Sequence, residues 1–313
     1  MPADRTARPG SPRARAGALV RRIGEHARSP GAAPDRTAQD GVLWGLAQVV
    51  RAVRLLAADR ALLRAALVPT ALTFLGSAAL AAIVARDAKA RYFQAAFASF
   101  VAVSSMPPTI LWRQWQRVGL EARRALCASP GEEEHPGESF LRRVVRELWK
   151  AVLQAAAVSA GIAPVVVVVE ILPFIGHGVT VVLGVLWAWY WVVLDALEIP
   201  TEVIPGKLGP GEDTWFERAL AGLGRRSRWL FPARLAARFL GFLARPWRHE
   251  AAFTELHPWP SAGFALAAGA FLAIPVVGVF FRAVAITAAT ILVVRLDLPP
   301  SSVAPAYPPD RST

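Results

Sequence analysis

Residues 65 to 85 read AALVPTALTFLGSAALAAIVA, 21 positions without a charge between Arg64 and Arg86. At about 1.5 Å rise per residue this block reaches roughly 30 Å as a helix, the thickness of a bilayer's hydrocarbon core. Residues 92 to 112, YFQAAFASFVAVSSMPPTILW, form a second such block between Arg91 and Arg113. Hydrophobic residues make up 54% of the 313 positions and charged residues 19%, a balance outside the usual range of soluble domains. The sequence therefore predicts an all-α integral membrane protein with two long transmembrane helices.

Two further apolar segments are each interrupted by the same pattern. ILPFIGHG, residues 171 to 178, and AIPVVGVF, residues 273 to 280, both place a proline three residues before a glycine. Proline cannot continue an interior hydrogen-bond ladder, and glycine readily takes the left-handed conformation that ends a helix. Pro173 with Gly176, and Pro275 with Gly278, are read as the tips of two helical hairpins. In the second hairpin the arms Ser261–Ile274 and Val279–Val294 are too short to cross comfortably, so the reading is a re-entrant hairpin facing protein or a water-filled cavity. Paired interrupted segments in two halves of a chain point toward a permeation or binding path.

The net charge is +12, and 32 of the 35 basic residues are arginine. They collect at residues 1–64, 113–150 and 205–259, around the apolar blocks, which fits the excess of Lys and Arg on the cytoplasmic side of membranes better than it fits nucleic-acid binding. Both termini are accordingly expected in the cytoplasm. Residues 1–40 and 298–313 are read as disordered tails, and 41–297 as a helical membrane domain carrying a basic cytoplasmic insertion at 205–258. Within that domain, residues 41–58 predict an interfacial amphipathic helix with Leu43, Leu46, Val50 and Val53 on its apolar face. Residues 113–150 predict two solvated helices. Residues 216–250 predict a basic helix on the cytoplasmic leaflet, with Arg234, Arg238 and Arg245 opposite Leu235, Phe239 and Phe242. Trp44, Trp112, Trp115, Trp149, Trp215, Trp247 and Trp259 flank the apolar blocks as interfacial anchors.

Taken together, LLRAALVPTALTF, GLEARRAL, RELWKAVLQ, ILPFIGHGVTVVLGVLWAWYWVVLDALEIP and FALAAGAFLAIPVVGVFFRAVAITAATILV resemble the CysZ-type sulfate permeases and the broader etoposide-induced-protein family. The likeness covers roughly residues 41–127 and 139–297. It implies a homo-oligomer in the inner membrane that passes sulfate. The family's anion contacts before the first span map onto Arg60 and Arg64, and Glu121 and Arg123 in LEAR match its second long helix. Where the family carries asparagine after the first-span proline and at the second tip, this chain has Thr73 and Gly278.

Individual residues carry two readings each. Arg60 and Arg64 form either an anion-attracting vestibule at a helix start or ordinary positive-inside anchors. Arg282 lies within an apolar arm, where a lone arginine costs about 3 kcal/mol or more, so it either faces a cavity or pairs with an acid. Glu170 is the acid nearest a tip and is expected to close the hairpins onto Arg282 in preference to relaying protons. His177 reads as a polar tip residue, since no ligand set for a metal surrounds it. Glu121 and Arg123, two apart, do not share a helical face, so each needs its own partner. The motifs HExxH, GxSxG, GxxxxGK[ST] and CxxC are absent, so neither an enzyme nor a bound cofactor is expected. The functional expectation is a permease or channel for a small anion, with a lipid-binding or partner-binding membrane scaffold as the alternative.

Overall fold

The computed structural model describes residues 12–28, 37–86, 94, 96, 111–126, 139–169, 176–202, 213–226, 231–272 and 274–297. Eleven α-helices are found among them: α1 Pro12–Arg28, α2 Ala38–Ala58, α3 Arg60–Ala85, α4 Trp112–Ala125, α5 Phe140–Val169, α6 Gly176–Glu202, α7 Trp215–Arg226, α8 Phe231–Ala244, α9 Arg248–Leu256, α10 Pro258–Leu272 and α11 Pro275–Asp297, with a 3-10 turn at Arg245–Trp247. Four of them contain segments long and apolar enough to cross a bilayer, at Ala38–Ala58, Arg60–Ala85, Gly178–Thr201 and Val276–Leu296. The chain is an all-α membrane protein.

The α3 span is only 22% buried by the rest of the chain, and Leu67, Leu75, Ile83 and Val84 project outward from it, a surface suited to hydrocarbon. The α11 span is 72% buried and forms the centre. Around it, Trp44, Ala52, Phe253, Phe264, Ala268, Ala288 and Leu292 make the main core. Asp59 alone separates α2 from α3. Its amide donates to Leu55 O, ending α2, and its carboxylate accepts from Ala61 N and Leu62 N at 2.8 and 3.0 Å, starting α3.

Several expectations change. The helix at 41–58 is more than an amphipathic surface helix with Leu43, Leu46, Val50 and Val53 on its apolar face, since it is long and apolar enough to span and its Leu43 packs inward. Val50 and Val53 are exposed, while Gly41, Leu43, Trp44, Gly45, Ala47, Gln48, Ala52 and Leu56 are buried. This small-residue face lets the α2 backbone approach α10, where a Cβ on Gly45 would stand 2.1 Å from Pro260 O. The tail expected to be disordered contains α1, which packs on α2 through an Arg22–Asp40 ion pair and through Arg51, which donates to the carbonyls of His26 and Ala27. Residues 140–150 are not a separate solvated helix but the first turns of α5, which runs 30 residues. The preceding helix, α4, is not simply solvated either, burying Trp112, Trp115, Val118 and Ala122.

In the second hairpin α10 is as short as expected, 15 residues, yet α11 has 23 and is long enough to span. Pro275 is the first residue of α11 and Gly278 lies a turn inside it, so the motif starts the returning helix and does not end the incoming one; proline is preorganised for that first position. Gly176 likewise opens α6. Of the tryptophans expected at interfaces, Trp44, Trp112, Trp115 and Trp247 are buried packing residues, while Trp149, Trp215 and Trp259 are exposed. Most of the second apolar block, the first hairpin tip with Glu170 and Pro173, the side chain of His177, and residues 298–313 lie outside the described residues.

Candidate functional site

Arg282 sits two turns into α11, within VVGVFFRAVAI, and its side chain is largely enclosed. Burying a guanidinium in such a helix is tolerable only beside a compensating charge. That charge is Asp195 on α6, whose Oδ2 is 3.7 Å from Arg282 Nη2. Among the described residues the acid paired with Arg282 is thus on the arm after the first tip; the expected partner, Glu170, lies outside the described residues.

One helical turn further along α6, at i+3 and i+6 from Asp195, Glu198 and Thr201 extend the polar stripe. Glu198 Oε1 accepts from Lys150 Nζ of α5 at 2.5 Å. Lys150 also lies 3.7 Å from Glu147 Oε1 and 5.8 Å above the Trp112 ring, a cation–π distance, and Glu147 takes a second partner in Arg146 Nε at 3.1 Å. Thr201 Oγ1 is 2.6 Å from Glu250 Oε1 on α9 and 2.8 Å from the Glu198 carbonyl. A hydroxyl has one proton, so it cannot donate to both. With Glu250 ionised the hydroxyl donates to the carboxylate, which favours the charged form; with Glu250 protonated the acid donates to Thr201, which then donates to the carbonyl. Burial pushes the Glu250 carboxyl above its ordinary value, opposed by the Thr201 bond and by the Lys150 and His249 charges.

These groups form a stripe of alternating charge through the junction of α5, α6, α9 and α11. Glu147, Glu198 and Glu250 are all buried. Sequence reasoning singled out Arg282 but missed Glu147, Lys150, Glu198, Thr201 and Glu250. The available signal was spacing: Glu147 with Lys150, and Asp195 with Glu198 and Thr201, repeat every three residues at the edges of apolar runs.

The other candidates are placed apart from one another. Arg60 and Arg64 are exposed on the first turns of α3, and the Asp59 carboxylate occupies the amides there that would otherwise greet an anion. Between them, Leu62 packs in one cluster with Ala283 and Ile286, on the turn after Arg282. Glu121 pairs with Arg124 at 2.6 Å, one turn along the surface of α4. Arg123 is buried, and burial lowers its pKa from the ordinary value. Among the described residues, no group of three or more His, Cys, Asp or Glu could hold a metal ion. No family model, no curated protein and no solved structure matches this chain.

Proposed function

We propose that the chain is a multi-pass inner-membrane permease or channel for a small inorganic anion, with sulfate as the substrate indicated by its resemblance to CysZ-type proteins. The observation that carries this reading is Arg282, held in the most enclosed apolar helix by Asp195. Ionisable groups at membrane depth tend to face a route or a partner, and this pair joins the return arms of the two Pro/Gly hairpins. In this reading the arginine-rich segments and both termini face the cytoplasm, and the protein works as a homo-oligomer.

Labelled sulfate uptake into proteoliposomes tests the proposal. The variants are Arg64→Ala and the paired Arg282→Gln, Asp195→Asn, which removes both charges so that neither is stranded. The expected outcome is saturable uptake that other divalent anions inhibit and that falls at least about tenfold in the paired variant, equivalent to roughly 1.4 kcal/mol. Folded protein that gives no flux above empty liposomes would overturn it. The conclusion would then pass to the second reading, a lipid-binding or partner-binding scaffold, which the basic segment around α8 favours.

A further inference from the structure

α8 carries three different stripes. Ala237, Leu240, Leu243 and Ala244 are buried, packing the helix onto the body of the protein. Leu235, Phe239 and Phe242, spaced by four and three residues, are each more than half exposed. Arg234 and Arg238, continued by Arg245 in the 3-10 turn that follows, form the third stripe and line a cleft of about 790 Å³ between α8 and α7, to which Arg225 and Arg248 also contribute.

Two acids line this cleft, Asp213 and Glu217, and the buried one, Glu217, is already occupied. Glu217 Oε1 accepts from Arg248 Nη2 at 3.0 Å, and Oε2 accepts from both Thr214 N and Thr214 Oγ1 at 2.7 Å. Gly241 makes room for it: a Cβ there would stand 1.8 Å from Glu217 Oε1. Among the described residues, Arg225, Arg234, Arg238 and Arg245 have no acidic partner. Several exposed guanidinium groups around one cleft would repel each other unless an anion sits between them, and the planar fork of arginine matches phosphate oxygens in pairs.

The exposed apolar stripe decides which phosphate. A helix with Leu235, Phe239 and Phe242 on the face next to its arginines is built to sit at the acyl–headgroup boundary. There its arginines stand at the level of lipid phosphates. We infer that the α7–α8 cleft is a binding site for the phosphate headgroup of an anionic lipid, seated on Arg234, Arg238 and Arg245. This site is separate from the Arg282–Asp195 pair and does not depend on the transport reading.

The test uses the full chain in a non-ionic detergent. Dilauroyl phosphatidylglycerol, dilauroyl phosphatidylcholine and inorganic phosphate are titrated separately, with bound ligand counted by native mass spectrometry. The expected result is one tightly held phosphatidylglycerol, preferred over phosphatidylcholine by at least about tenfold. The triple variant Arg234→Gln, Arg238→Gln, Arg245→Gln should weaken it roughly 100-fold, since each basic residue at a lipid surface contributes about fivefold. An equal charge loss elsewhere, Arg113→Gln, Arg117→Gln, Arg142→Gln, should leave the preference intact. If the cleft triple fails to fold by thermal melting, the single Arg238→Gln is read in its place, with a loss of about fivefold. Three outcomes overturn the inference: no preference over phosphatidylcholine, an equal loss in both triples, or inorganic phosphate binding to the cleft more tightly than the lipid.

Discussion

Glu250 is 4% exposed and hydrogen-bonded to Thr201. Because burial raises its carboxyl pKa, the folded state holds a proton that the unfolded state releases near the ordinary carboxylate value of 4.5. Stability from this group is therefore complete below that value, and it declines as pH rises toward the folded-state pKa. Glu250→Gln mimics the protonated acid, since its amide can donate to Thr201 Oγ1. The variant is expected to melt higher than the parent at pH 8, by the equivalent of about 1–3 kcal/mol, and this advantage should shrink toward pH 5. A variant that melts lower than the parent at pH 8 would mean that the carboxylate is charged and partnered in the fold. At this scale the sequence disclosed Arg282, because a charge stands out inside an apolar block. Its partner Asp195 is 87 positions away, and neither periodicity nor hydropathy encodes which of several acids a fold brings to it.

The contact between α2 and α10 turns on glycine. A Cβ on Gly45 would sit 2.1 Å from Pro260 O, and one on Gly263 would sit 2.0 Å from Val42 O, both backbone atoms that cannot swing aside. Gly45→Ala or Gly263→Ala should therefore cost about 1–3 kcal/mol through helix displacement, outweighing the helix-propensity gain of roughly 1 kcal/mol. Gly76 in the middle of α3 has open space around it, so Gly76→Ala should be neutral or stabilising by up to about 1 kcal/mol. Thermal melting of the three variants in one detergent separates the cases, and equal shifts would refute the close-packing account. The same contact explains what the sequence reading of α2 missed. A pattern search follows large apolar side chains and so found the exposed stripe of Val50 and Val53, whereas the approach of α2 to α10 is made at Gly41 and Gly45. By contrast α3 was legible end to end, because an uncharged run of bilayer length has few alternatives.

Membrane class was written in composition, yet the whole-molecule arrangement depends on α6, whose polar stripe reaches three other helices. Asp195 meets α11, Glu198 meets α5, and Thr201 meets α9. Each contact joins segments at least 48 positions apart, so the long arms of the first hairpin are tied to the second only once all are folded. The Lys150–Glu198 bond is the shortest charged tie in the stripe and the best place to test this cooperativity. Lys150→Met strands Glu198 in a buried site and should cost about 3–5 kcal/mol of unfolding free energy. Glu198→Leu alone should cost less, because Lys150 keeps Glu147 at 3.7 Å and the Trp112 face at 5.8 Å. In the double variant both buried charges leave together, and Glu147 retains Arg146 at 3.1 Å, so most of the loss should be recovered. Reversible denaturant unfolding in detergent would read this as a coupling of at least about 1 kcal/mol between the two sites. Strictly additive losses would mean that Lys150 and Glu198 act independently, and that α5 is held to α6 by the packing of Leu153, Ala157 and Trp191 and by the bond from Trp187 Nε1 to Val158 O.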